Sequence, residues 1–267
     1  MNRKTLGTFL LLFMLNAAHG QSLQGKIALD VRQKPRASHP VNKHAIACGQ
    51  QMANEALLFG KKLELANVVV WLANLKPETN LPHAVLALDL QNCTYRPHVL
   101  AVLPGDTLLL RNHDRILHDA RGELHAFREG WDRRVTKDLF QNEAQIVFNF
   151  VFPKAKAEAS AALTQPGLIR VHSTSGHDWM QAYIFVAPHR AFAVSNGQGE
   201  FTLPRLPGGK YDLILWHEHL GVKRQLVELA GNKTTELLIT WELPEEMRAV
   251  TIAGEAAAAM TDSSSQK

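Results

Sequence analysis

Between residues 25 and 241 the chain repeatedly returns to short apolar runs rich in Val, Ile, Leu and Phe, punctuated by Pro and Gly. The runs lie at residues 25–31, 67–72, 99–103, 107–111, 145–152, 168–172 and 182–186. Branched and aromatic residues suit a pleated, half-buried surface, and each run is too short for a core helix. Many short strands with turn signals between them predict an all-β chain built as a sandwich. Residues 154–163 read differently: they are alanine-rich and polar, and suit a surface helix or a loop.

Composition changes after Ala187-Pro188. A hairpin is expected around the turn at residues 195–199, followed by a strand ending at Trp216-His217 and another at residues 236–241. In the first of these, Tyr211, Leu213 and Leu215 alternate with Asp212, Ile214 and Trp216, so both faces of the strand are expected to be covered. The domain organisation read from this is a larger sandwich over 23–187, a smaller one over 188–245, and a disordered tail over 246–267 that lacks the apolar content to pack.

The first twenty residues combine a basic start (Arg3, Lys4), an apolar run at 6–15 and a small-residue site before Gln21. This is the pattern of a cleaved secretory signal, and the run is too short to span a bilayer. No transmembrane segment is expected after cleavage. Loss of Arg3 and Lys4 lowers a formal net charge that is only +4 for the whole chain. No basic stripe with interleaved aromatics occurs, so nucleic acid is not an expected partner.

Cys48 and Cys93 are the 2 cysteines. An even pair in an exported chain predicts a disulfide, worth roughly 4 kcal/mol for a loop of this length in the chain-entropy account. The competing reading makes Cys93 a metal thiolate together with His98 and leaves Cys48 a stray thiol.

Two segments carry ligand chemistry. His177 and Met180 stand three residues apart in the run 171–180, just before the strand expected at 182–186. Upstream, Pro104-Gly105-Asp106 opens a strand that leads through Asn112 and Asp114 to His118. Imidazole with thioether selects copper, and the reduced ion especially, over the oxygen-seeking magnesium and calcium. Zinc is the rival for a set of several histidines, although it rarely takes methionine.

These residues resemble the plastocyanin-like members of the cupredoxin superfamily labelled methylamine-utilisation proteins. The resemblance rests on Cys93-Thr94-Tyr95-Arg96-Pro97-His98, on Gly105, Leu108, Asn112, Asp114 and His118 at their spacings, and on His177-Asp178-Trp179-Met180. Gly199 to His217 is similar to a carboxypeptidase-regulatory, prealbumin-like module. The fold implied is a cupredoxin-like Greek-key sandwich followed by that smaller β-sandwich. The site implied is copper held by His118, His177 and Met180, completed by His172 or His98, with Asn112 tying the loops together.

The chain departs from the family at one ligand. Blue-copper loops carry a cysteine shortly before the histidine, and here His172, Ser173, Thr174 and Ser175 occupy that stretch. Without a thiolate the trigonal His/His/Cys centre cannot form. The expectation is therefore a periplasmic copper protein acting in electron transfer or copper handling, with a redox or copper-accepting protein as partner. The alternative is a metal-free two-sandwich interaction protein. A catalytic role is not expected: no nucleophile elbow or phosphate loop occurs, and a ligand set alone supplies no acid, base or substrate pocket. Trp216-His217-Glu218-His219 is open to two readings, a metal chelate or packing against the first sandwich.

Overall fold

The computed structural model describes residues 21–32, 36–73, 75–79, 81–126, 143–229 and 234–243. The expected signal segment 1–20 and the expected tail 246–267 lie outside them. Among the described residues the regular structure is nearly all strand, with one four-residue helix, Ala45–Cys48, and no helix long and apolar enough to cross a membrane.

One sandwich is built from residues 85–186. Its five-stranded sheet runs Gln145–Phe152, His118–Ala126, Gly167–His172, Gln181–Val186, Val99–Val102. The facing sheet runs Glu158–Ala162, Thr107–Asn112, Val85–Gln91, Thr94–Arg96. Strands cross between the sheets in Greek-key order, and the two-residue period sets what enters the core. Leu108 and Leu110 of one sheet meet Ala120, Leu124, Ile169, Val171, Ala182, Ile184 and Val186 of the other.

The smaller sandwich has a three-stranded sheet, Glu200–Leu206, Gln21–Leu29, Thr235–Trp241, against a four-stranded one, Phe192–Val194, Val69–Leu72, Gly209–His217, Gly221–Leu229. Chain order suggested boundaries at 23–187 and 188–245, but strand pairing draws the line elsewhere. Gln21–Leu29 pairs in parallel with Thr235–Trp241, and Val69–Leu72 pairs with Gly209–His217. Nothing local to 21–72 encodes this, because strand partners are chosen by burial of whole faces.

Residues 154–163 contain a strand, Glu158–Ala162, antiparallel to Thr107–Asn112. The helix-or-loop reading gives way because Ala159 and Ala161 turn inward to the core while Glu158, Ser160 and Ala162 face out. Small side chains suffice at that edge.

The two sandwiches share a third apolar layer. Val68, Val70 and Leu72 point into the smaller core, whereas Val69, Trp71 and Ala73 point outward. Leu213 and Leu215 likewise alternate with Ile214 and Trp216, so this strand is covered on both faces as expected. The outward set meets Val99, Leu168, Tyr183, Phe185 and Ala187 from the five-stranded sheet. The Trp71 and Phe185 rings lie 4.7 Å apart. Trp71→Ala should cost about 3–5 kcal/mol through the void it leaves. Denaturant unfolding followed by circular dichroism tests this; a loss below about 1 kcal/mol would mean that the layer is not close-packed.

Candidate metal centre

The site is built at one end of the 85–186 sandwich from its inward-facing rows. Asn112 follows Leu108 and Leu110 on the inner face of its strand, and its buried amide serves the loop beyond. Its Nδ2 donates to the carbonyls of Ile116 (3.0 Å), Lys154 (3.2 Å) and Phe152 (3.4 Å), while Oδ1 accepts from the Asp114 backbone N–H at 2.9 Å. Asn112 thereby fixes the five residues that separate it from His118.

Asp114 is the second support. Its carboxylate accepts the backbone N–H groups of Asn92 (2.9 Å) and Cys93 (2.8 Å), both of which take left-handed conformations. It also lies 2.9 Å from Nε2 of His118. A carboxylate can only accept, so Nε2 carries the proton and the lone pair of His118 sits on Nδ1. That Nδ1 is buried with no hydrogen-bond partner among the described residues.

The opposite wall is the 173–180 loop. Asp119 accepts from Ser173 Oγ (2.5 Å), Ser175 Oγ (2.6 Å), Thr174 Oγ1 (2.6 Å) and the Thr174 N–H (2.7 Å). Burial alone would raise the Asp119 carboxyl; these donors outweigh it and bring it down to about 2. Ser173, Thr174 and Ser175 are thus a hydroxyl clamp on Asp119. Gly176, at φ +94°, makes the left-handed turn that delivers His177.

His118 and His177 are both fully buried, with ring centroids 4.9 Å apart at 60°. Nδ1 of His177 is also buried without a partner among the described residues, while its Nε2 lies 3.0 Å from Nδ1 of His44. Burial, then the neighbouring His118, His44 and Lys43, push the His177 imidazole down to about 4. Burial also lowers His118, against the pull of Asp114. Both rings are therefore neutral at pH 7, the form that offers a lone pair to a metal. Met180 continues the inward row of Ala182, Ile184 and Val186 and is buried in the same core, its N–H bonded to the His177 carbonyl at 2.8 Å.

The other two expected ligands lie apart from this pair. His172 faces outward on its strand, Nε2 3.4 Å from Glu123. His98 is turned toward the smaller sandwich, paired with Glu218 and edge-on to Tyr183 at 5.9 Å. Strand alternation separates them: His172 has the opposite parity to the core residue Val171, and His98 precedes the edge strand Val99–Val102.

Of the Trp216–His219 run, Trp216 packs in the shared layer and Glu218 holds His98. His217 is buried in ring contact with Trp241, and His219 contacts Arg36.

His44 is the residue that sequence reading missed. The segment between Leu29 and Val69 leaves the smaller sandwich and reaches the larger one, where Lys43 Nζ donates to the Ser175 carbonyl at 2.7 Å and Cys48 is disulfide-bonded to Cys93. The disulfide expected from the cysteine count is thus present. The one available signal for His44 was its spacing: it stands four residues before Cys48, the partner of the cysteine that opens the Cys93–His98 motif.

No protein-family model and no curated protein matches the chain. Similar solved structures include a reduced amicyanin variant, 18% identical, covering 39% of this chain and 82% of its own, with TM-score 0.29. A purple cupredoxin from Nitrosopumilus maritimus is 15% identical over 39% of this chain and 99% of its own, TM-score 0.28. A copper-containing nitrite reductase from Thermus scotoductus is 20% identical over 40% of this chain, TM-score 0.27, and the match spans only 22% of that enzyme. At those TM-scores the likeness carries no argument about the site, and the fold rests on the strand pairing above.

The buried imidazoles set the acid response of the metal-free protein. His177 (about 4) and His217 (about 3, through burial first) lie below the 6.5 of an ordinary histidine, so the unfolded chain binds protons that the folded chain refuses. Stability should therefore fall as pH drops below 6.5, with the His177 contribution lost by about 4. Urea midpoints measured from pH 7 to 4 should decline steadily, and His177→Gln should flatten part of that decline. A level wild-type profile would contradict the burial of these rings.

Proposed function

We propose that this protein binds copper through Nδ1 of His118 and Nδ1 of His177, with the Met180 thioether as a weak third ligand. The observation that carries the reading is the pair of buried, partnerless Nδ1 atoms on adjacent neutral rings. Each ring has its other nitrogen engaged, His118 by Asp114 and His177 by His44. Metal-binding histidines are held in this way, the outer partner fixing tautomer and ring orientation. Two imidazoles and a thioether favour copper over zinc and favour the reduced ion over the oxidised one.

Both cysteines are committed to the disulfide, so this donor set has no thiolate. We therefore read the protein as an exported, periplasmic one that holds or delivers copper, or passes electrons at a non-blue centre, without catalysis of its own. A copper-accepting or redox protein is its partner in this reading. The methylamine-utilisation and regulatory-module resemblances stay part of the proposal.

Addition of copper to the oxidised, exported protein should give a pale species with wide hyperfine splitting and no intense band near ~600 nm, because such a band needs copper–thiolate charge transfer. His118→Ala and His177→Ala should each remove most copper affinity in competition titrations. Met180→Leu should weaken Cu(I) more than Cu(II). Unchanged copper binding in both histidine variants, with the fold intact by circular dichroism, would favour the metal-free interaction protein.

A further inference from the structure

The disulfide lies against the wall of the imidazole site, and its two ends are held very differently. Cys93 is buried, its N–H bonded to Asp114 and its carbonyl accepting from Trp179 Nε1 at 2.9 Å. It is followed directly by Thr94–Arg96, paired with Val85–Gln91. None of these restraints involves sulfur. Cys48 ends a four-residue helix that has no buried residues and no side-chain cap. Cutting the bond would therefore leave the Cys93 sulfur in place and release Cys48.

What Cys93 would then face is a ligand set. Among the described residues, Cys93, Asp114 and His118 form a group in which one ligand atom from each lies within 4.8 Å of the others. A thiolate there sits beside the Asp114 carboxylate, and two like charges so close disfavour each other unless a cation lies between them. Sulfur, imidazole nitrogen and carboxylate oxygen are the three donor types that zinc accepts, with a fourth position left to water.

We propose that reduction of the Cys48–Cys93 bond creates a zinc site made of Cys93 Sγ, Asp114 and His118. The reductant is a dithiol. Its thiolate attacks the half-buried Cys48 sulfur, the S–S bond breaks, and Cys93 leaves as the thiolate. The second thiol of the reductant then displaces Cys48, so the dithiol ends as a disulfide and two electrons have passed to the protein. Zn²⁺ binds the Cys93 thiolate in place of a proton. Because His118 is shared with the proposed copper centre, the oxidised protein takes copper between His118 and His177, and the reduced protein takes zinc between His118 and Cys93.

The experiment uses cobalt(II) as the optical stand-in for zinc, added alone to oxidised wild type, Cys48→Ser, Cys93→Ser and Cys48→Ser/His177→Ala. Cys48→Ser should show a sulfur-to-cobalt charge-transfer band at one equivalent, and zinc should abolish it. Oxidised wild type and Cys93→Ser should lack the band, the double variant should keep it, and adding Asp114→Ala to Cys48→Ser should remove it. A folded Cys48→Ser without the band overturns the proposal. So does a band shared by Cys93→Ser, or one lost with His177, which would place the sulfur in the copper centre instead. Should Cys48→Ser lose its fold, zinc added to it and to phosphine-reduced wild type must restore folded circular dichroism in both; failure in either overturns the proposal. Failure of the copper reading would appear separately, as copper binding unaffected by His177→Ala in the oxidised protein.

Discussion

The apolar layer between the sandwiches is the constraint on which the remaining architecture depends. Val69–Leu72, the second half of Gly209–His217 from Leu213 on, and Gln181–Val186 from Ala182 on are buried on both faces, so each contributes to two cores at once. A one-residue slip in any of them would exchange the side chains of one core for those of the next. Trp71, Trp216, Tyr183 and Phe185 fill this layer with large rings. It joins the sandwiches through close-packed contact as well as through the chain itself.

That joint also explains how a segment near the start of the described chain comes to act at a site belonging to later residues. Gln21–Leu29 and Val69–Leu72 are anchored in the smaller sandwich. Between them the chain returns to the smaller core at Leu57, Leu65 and Val68, and its earlier part reaches the larger sandwich, where Lys43, His44 and Cys48 make their contacts. The part that reaches the larger sandwich buries little of its own: the Ala45–Cys48 helix has no buried residues, and the disulfide to Cys93 ties it down. Its order follows from these tertiary attachments more than from local propensity.

At the site itself, three buried or half-buried polar side chains do the positioning. Asn112 organises the loop before His118, Asp114 fixes the His118 tautomer and the turn at Cys93, and Asp119 gathers Ser173, Thr174 and Ser175. Charged acceptors with several short donors are stronger than neutral ones and leave the loops few alternatives. The imidazoles themselves keep one nitrogen each without a partner, an arrangement that buried polar groups avoid unless something else satisfies them.

By itself the sequence determined the strand-rich class, because short Val, Ile, Leu and Phe runs between Pro and Gly turns cannot bury themselves in any other way. It also determined the cysteine pairing, since two cysteines allow one intramolecular bond, and the doubly covered strand ending at His217, whose alternation is written in its residues. The grouping of His118, His177 and Met180 came from a family resemblance carried by their motifs. Tertiary structure decided which histidines share a site. His172 and His98 have the right chemistry, but side-chain parity and edge position turn them to Glu123 and Glu218, and parity relative to a core is known only once the core exists. His44 entered because a disulfide and two distant strands brought its segment across. The membership of Gln21–Leu29 in the smaller sandwich rests on pairing with residues more than two hundred positions away. No local pattern encodes such a choice, because only the completed sheets make it favourable.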